Sequence, residues 1–165
     1  MVIGPYDGDR EPLRPLFRLA DDSDSQIDKY LNLGEVLVAE EDGELVGQLQ
    51  LIASGEQAFE LNSMAIVESR RGTGIGRALV AAAIRYCEQR AAVRLLVATA
   101  AADTGNLRFY QRQGFRMLRI ERDAFTPDTG YAETIIIDGV PLRDRVWLDQ
   151  PLPARPKSES EPHQL

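Results

Sequence analysis

Three glycines at alternate positions, Gly72, Gly74 and Gly76, constrain this chain more than any other feature. They sit in the stretch Val-Glu-Ser-Arg-Arg-Gly-Thr-Gly-Ile-Gly-Arg-Ala-Leu, residues 67–79. An apolar run ending in Met64-Ala65-Ile66 precedes them, and an alanine-rich amphipathic segment follows. A glycine loop between a strand and a helix lets bare backbone approach a ligand. The first helical turn adds unpaired N–H groups and the positive end of the helix dipole. The loop is therefore read as an anion site, and the rest of the chain must say which anion it holds.

At 165 residues the chain is expected to form one domain over 1–149, with a disordered tail at 150–165. The tail has no apolar pattern and is rich in proline. Hydrophobic content of 44% and charge of 27% are ordinary for a soluble protein. No apolar run approaches the roughly 20 residues that span a bilayer. The start, Met-Val-Ile-Gly-Pro-Tyr-Asp, lacks the basic and apolar regions of a secretory signal, so a cytoplasmic location and no membrane partner are expected. One cysteine excludes an internal disulfide and a cysteine-rich zinc site. A net charge of −7 argues against a nucleic-acid partner and suits a cationic one. The single histidine, His163, lies in the tail, which removes histidine triads, bases and metal clusters. Acid–base work falls to Glu, Asp, Tyr, Lys or water, and no metal is expected.

Taken in order, 2–4 reads as a short strand. Residues 10–20 read as a helix broken by Pro15, and 25–33 as a second short helix stopped by Gly34. Asp21-Asp22-Ser23-Asp24 reads as a solvated, cap-rich loop, with attraction of a cationic substrate as the lesser alternative. Strands follow at 36–39, 45–52 and 58–66, the first two joined by a turn at Asp42-Gly43. The third feeds the glycine loop. Residues 74–90 give the clearest helix, with Leu79, Val80, Ala83, Ile84 and Cys87 on its apolar stripe. A strand at 94–99, a helix at 106–113, a strand at 115–120 and a hairpin of 133–137 with 140–148 complete the order.

Nucleotide motifs are the commonest explanation of such a loop, and both fail. No Gly-x-x-x-x-Gly-Lys-Ser/Thr string exists, and Gly-x-Gly-x-x-Gly ends on Arg77 in one register and Leu79 in the other. The pattern that fits is Arg-x-x-Gly-x-Gly, as Arg71-Gly72-Thr73-Gly74-Ile75-Gly76. With the strand Glu60-Leu61-Asn62-Ser63-Met64-Ala65-Ile66 and the later Asn106-Leu107-Arg108-Phe109-Tyr110-Gln111-Arg112-Gln113-Gly114-Phe115, it resembles the GCN5-related N-acetyltransferase (GNAT) superfamily. The stretch Arg122-Asp123-Ala124-Phe125 and the hairpin at Asp138-Gly139 are also similar to the bacterial YvbK-like acetyltransferases. The resemblance implies an α+β fold: a mixed, largely antiparallel sheet of about seven strands, splayed at the acetyl-CoA site, with about four helices.

It also implies roles. Backbone N–H groups over Gly72, Thr73, Gly74, Ile75, Gly76 and Arg77 would hold the CoA pyrophosphate, supported by Arg71 and Arg77. The pantetheine arm would pair with backbone at Met64, Ala65 and Ile66 like an added strand, and Asn106 would hydrogen-bond it. An N–H in 64–66 would stabilise the oxyanion. The acceptor is expected to be a primary amine of a small molecule or peptide, with a slight tilt to basic acceptors, and the resemblance implies that residues 10–33 and the segment Asp123 to Tyr131 shape its pocket. Its ammonium, with a pKa of about 10, must lose a proton before attack. Glu60 is the candidate base, its alternative being an outward-facing strand carboxylate, and Asn62 would orient a water. Tyr110 is the candidate acid, its alternative being a core aromatic. A regulatory module that binds acetyl-CoA without chemistry stands beside the enzyme reading. C-terminal strands of this fold often support dimers, so a homodimer is expected.

Overall fold

The computed structural model describes residues 1–133 and 135–154. Its centre is a seven-stranded sheet in the order β1-β2-β3-β4-β5-β9-β6. The strands are β1 (Val2–Pro5), β2 (Glu35–Glu41), β3 (Glu44–Ala53), β4 (Ala58–Ile66), β5 (Arg94–Ala100), β6 (Arg116–Glu121) and β9 (Arg145–Pro151). Neighbours run antiparallel except β4 and β5, which are parallel and joined through α3 (Ile75–Gln89). Short turns close the meander β2 to β4, whereas residues 6–34 connect β1 to β2. Asp42 and Gly43 both have positive φ, 51° and 79°, the pattern a two-residue hairpin requires.

Both faces of the sheet are covered, which explains why β3 is buried continuously from Val46 to Leu51. On one face Leu37, Leu49, Leu51 and Leu61 meet Ile75, Leu79, Ala83 and Cys87 of α3. On the other, Val36 and Val38 meet Leu13, Phe17, Ile27 and Leu31 from α1 (Arg14–Arg18) and α2 (Asp24–Tyr30). The expected break at Pro15 takes the form of a 3-10 turn, Glu11–Leu13, leading directly into α1, where Pro15 occupies the first turn and costs no hydrogen bond. Ser23 caps α2 by accepting from the Gln26 N–H at 3.3 Å. Gly34 ends that region at φ +59°, with Leu51 O only 2.0 Å from where a Cβ would stand. No side chain larger than hydrogen fits there.

Three expectations change. The helix expected from Asn106 begins earlier: α4 is Thr104–Arg112, with the Asp103 carboxylate accepting from the Asn106 N–H at 2.9 Å. The long C-terminal hairpin is instead a small two-stranded unit, β7 (Ile136–Ile137) with β8 (Val140–Pro141), and a separate strand, β9. β9 inserts between β5 and β6, because its alternating Val146, Leu148 and Gln150 are buried. Thr134, inside the expected first arm, lies outside the described residues. Gln150 and Pro151 are part of β9 and Leu152 is buried, so these residues belong to the folded unit. Residues 155–165, the rest of the expected tail, lie outside the described residues.

Candidate active site

The site starts with a defect in β4. Gln50 pairs with Ser63 while Leu51 pairs with Leu61, so Asn62 is an extra residue, a β-bulge. β4 and β5 pair only from Ala58↔Arg94 to Leu61↔Val97. Beyond the bulge β4 stays on β3 to Ile66, and β5 stays on β9 to Ala100. The two strands therefore part, and each turns an unpaired backbone edge toward the gap. A free strand edge in a cleft is a template for an extended ligand with amide groups.

The gap opens into a cleft of about 860 Å³. Its floor at one end is the glycine loop. Gly72 and Gly74 have φ of +74° and +91° with nothing within 4 Å of an added Cβ, so backbone conformation, not space, requires glycine there. Gly76 differs. Its φ is ordinary, but a Cβ would stand 3.4 Å from Phe109, so it lets α3 pack on α4. Ala78 donates to Gly74 O at 3.0 Å, which leaves the N–H groups of the preceding first turn without a helical acceptor. The loop is braced by Thr73 Oγ1 donating to Arg70 O at 2.6 Å, by Arg71 Nε donating to Ile66 O at 3.2 Å, and by the Arg70–Glu41 pair at 2.8 Å. A free strand edge ending at a braced ring of amides fits a polar arm that terminates in a pyrophosphate, which is the shape of CoA.

Glu60, Met64, Ala65, Ile66, Arg71, Gly72, Gly74, Ile75, Gly76, Arg77, Asn106 and Tyr110 all line this one cleft. Thr73 does not, and its hydroxyl is engaged within the loop. Ile75 is 2% exposed and belongs to the core under α3, so only its backbone is available to a ligand. Asn106 Nδ2 reaches Thr99 Oγ1 across the cleft at 3.4 Å. Tyr110 is 5% exposed, stacked edge-on between Phe109 and Phe115, and its hydroxyl has no hydrogen-bond partner among the described residues. Burial, and to a lesser degree the Asp103 charge, push its pKa above the usual tyrosine range. Glu60 is half-buried, and that burial raises its carboxyl above the usual range, while the charge of Arg145 works against the rise. Cys87 lies in the core with its thiol pushed up to about 11 by burial, which leaves it protonated and inert.

The other end of the cleft draws on both segments expected to shape the acceptor pocket, 10–33 and 123–131, and adds Leu142, Arg145 and Trp147 from beyond them. Asp21, Asp22, Gln26 and Tyr30 form one wall, and Phe125, Tyr131, Leu142, Arg145 and Trp147 the other. Tyr30 donates to Asp21 at 2.8 Å. Gln26 Nε2 donates to Thr129 O at 3.2 Å, tying the two walls across more than a hundred residues of chain. Phe125 meets Tyr131 edge-on at 5.1 Å, and the Arg145 guanidinium lies 4.8 Å over the Phe125 ring. Glu121 accepts from both Arg145 and Trp147, at 3.2 and 3.0 Å. The solvated-loop reading of 21–24 thus holds for Ser23, the cap, and for Asp24, which pairs with Arg18 at 2.8 Å. Asp21, half-buried, and Asp22, exposed to solvent, also line the cleft. No one periodicity marks such residues, because they come in small groups from elements far apart in the chain, Gln26 and Tyr30 from α2 and Arg145 and Trp147 from β9.

The two ends also touch through polar side chains. Gln50 Nε2 donates to Tyr30 O at 2.6 Å and to Leu33 O at 2.9 Å, while the bulge residue Asn62 donates to Gln50 Oε1 at 2.9 Å. The bulge that opens the cleft therefore also anchors the end of α2 that walls it.

Comparison with known proteins agrees with this geometry. The model of the acetyltransferase (GNAT) family matches residues 7–115. The uncharacterized N-acetyltransferase YvbK of Bacillus subtilis is 33% identical over 141 residues, 84% of this chain and 90% of that protein. A Bacillus subtilis acetyltransferase solved in complex with CoA superposes with a TM-score of 0.84 at 32% identity, covering 91% of this chain and 97% of that one. A GNAT acetyltransferase from Elizabethkingia anophelis, solved with acetyl-CoA bound, does so with a TM-score of 0.84 at 30% identity, covering 92% and 97%. The chain belongs to the GNAT family of acetyltransferases, and is an acyltransferase that uses acetyl-CoA.

Proposed function

We propose that this enzyme acetylates a primary amine of a small molecule or peptide by direct transfer, with both substrates bound together. The observation that carries the reading is the meeting of Glu60 and Tyr110 on one cleft whose floor is a free β4 edge. Acetyl-CoA supplies an activated acetyl thioester. The amides of 72–77 bind its pyrophosphate, and those of Met64, Ala65 and Ile66 pair with its arm, Asn106 adding a side-chain bond. Glu60, with its raised pKa, takes the proton that the acceptor ammonium must lose, directly or through a water beside Asn62. A β4 amide donates to the carbonyl oxygen as the amine forms the C–N bond. Tyr110, kept protonated by burial, gives its proton to the sulfur as the C–S bond breaks. No covalent enzyme intermediate is required.

The acceptor end supports an amine with an apolar body. Three carboxylates, Asp21, Asp22 and Glu60, face one arginine, and four aromatic rings line the walls. This favours a cation held against ring faces. A cytoplasmic location is part of the same reading. A homodimer is supported by β6, an outer strand of the sheet that exposes Met117, Leu118 and Ile120. Thiol release from acetyl-CoA across a panel of amines, peptides and aminoglycosides tests the proposal. Release that depends on one amine class supports it, and release only with hydroxyl acceptors overturns it.

A further inference from the structure

Gln50 is fully buried in β3, beside the bulge of β4, and both polar atoms of its side chain are engaged. Nε2 donates to Tyr30 O at 2.6 Å and to Leu33 O at 2.9 Å. Main-chain carbonyls only accept, so the Gln50 amide can face them with its nitrogen alone. Its Oε1 is then left for Asn62, and an amide oxygen can only accept. Asn62 must therefore turn Nδ2 inward, as it does at 2.9 Å. A planar amide that turns its nitrogen inward presents its oxygen the other way. Asn62 lines the cleft, two residues from Glu60 on the same strand, and its Oδ1 has no partner among the described residues. Two carbonyls at and just beyond the end of α2 thus decide, through Gln50, that an acceptor and not a donor faces the cleft beside the candidate base.

We propose that Gln50 is a positioning residue for the transfer: it fixes Asn62 Oδ1 as the acceptor for the N–H that the substrate nitrogen keeps, and so makes the site selective for primary over secondary amines. The inference rests on the direct transfer proposed for Glu60 and Tyr110. Once Glu60 has taken a proton from the ammonium, the neutral amine forms the C–N bond with its lone pair. The nitrogen of a primary amine then carries a positive charge and two N–H bonds. One of those protons passes to water as the C–S bond breaks, which balances the proton that Tyr110 gives to sulfur. The other stays as the amide N–H of the product. An amide oxygen is too weak a base to take it, so Asn62 Oδ1 holds it without competing with Glu60. Donation to that oxygen strengthens as the nitrogen becomes charged, so the contact lowers the barrier more than it tightens binding. A secondary amine has a single N–H at this stage, and that proton must leave. Asn62 Oδ1 then either loses its donor or holds back the proton, and both slow the reaction.

Steady-state thiol release by the full chain tests this with 2-phenylethylamine, a primary amine with the apolar body that the acceptor walls favour, and with its N-methyl derivative. The wild type is expected to prefer the primary amine by about tenfold or more in kcat/KM. Asn62→Leu is expected to lower kcat for the primary amine by about 10- to 100-fold and to narrow the preference, with the acetyl-CoA Kd unchanged in calorimetry. Gln50→Met, similar in length but without donor or acceptor at its end, frees the Asn62 amide to turn. It is expected to lower kcat as Asn62→Leu does, and to raise acceptor KM by loosening α2. In the double variant kcat is expected to equal that of Asn62→Leu alone, with only the rise in KM remaining. Gln50→Met also strips two carbonyls of their donor; where thermal melts show it unfolded, Asn62→Leu decides through the primary-to-secondary preference. A Gln50→Met loss of kcat that persists in full in the Asn62→Leu background makes Gln50 an anchor of α2 and nothing more. Asn62→Leu with wild-type kcat and preference removes Oδ1 from the reaction. Either result overturns the proposal and leaves the roles of Glu60 and Tyr110 standing. Wild-type release with neither amine overturns the apolar-amine reading and this proposal together.

Discussion

The two ends of the cleft are built in different ways. The donor end is nearly all backbone. A bulged strand edge, a loop of positive-φ glycines and the unpaired amides of a helix terminus are contributed by consecutive residues 60–77, with α4 closing the side. The acceptor end is built from side chains of residues 19–30 on one wall and 125–147 on the other, joined among the described residues by the hydrogen bond from Gln26 to Thr129. Backbone amides read a phosphate whatever side chains surround them, so a donor site of this kind suits a family that shares one donor. Side chains from separate loops are free to vary one by one. The family match covers 7–115 and stops before the second acceptor wall.

Variants at the two ends are expected to separate in their kinetics. Tyr110→Phe is the strongest test. It should lower kcat by about 100-fold or more while leaving the acetyl-CoA Kd unchanged in calorimetry. Full activity would remove Tyr110 from the chemistry and leave it a core aromatic. Glu60→Gln should lower kcat at neutral pH by roughly 100-fold and abolish the rise of kcat/KM with pH that ionisation of a base produces. Its effect on stability should have the opposite sign. The folded-state pKa of Glu60 is raised, so its stability contribution is complete below the ordinary carboxyl range and is lost as pH rises through the folded value. The variant should therefore melt higher than the wild type at pH 7 and equal to it in acid, which a pair of thermal melts would show.

Smaller effects follow away from the chemistry. Gly74→Val forces a β-branched residue to φ +91° and should weaken acetyl-CoA binding by about 10- to 100-fold, for a strain on the order of 1–3 kcal/mol. It should do so equally with every acceptor, and an acceptor-dependent loss would blur the division between the ends. Tyr131→Ala removes an acceptor-wall ring stacked on Phe125 and should raise acceptor KM by about tenfold or less, with acetyl-CoA Kd unchanged. A weakened acetyl-CoA Kd in that variant would show the two ends to be coupled, with the Asn62–Gln50–Tyr30 chain as the route to examine next.

The meander of β2 to β4, the glycine loop and α3 were legible because their signals are local. The loop needs φ beyond the reach of other residues, and a helix needs one apolar stripe. The start of α4 was misplaced because the cap, Asp103, precedes the motif that drew attention to Asn106. β9 was misread because periodicity says that a strand exists and not which strands it joins. Its neighbours β5 and β6 are distant in sequence, and an alternating pattern is the same in a hairpin and in a sheet centre.

By itself the sequence determined the donor. A run of amides held open by glycines is a property of consecutive backbone, so an anion site follows from a short string of residues, and the family resemblance carried by the loop and the later Asn106 to Phe115 motif implies its cofactor. The resemblance named two segments of the acceptor pocket, 10–33 and 123–131, but only the tertiary structure decided which side chains line it. It raised the Glu60 pKa by burial, set Asp21 and Asp22 along the cleft, and brought Phe125, Tyr131, Arg145 and Trp147 to the same cleft. It also placed Gln50 between Tyr30 and Asn62. Each of these depends on contacts between segments far apart in the chain, and no local pattern encodes them.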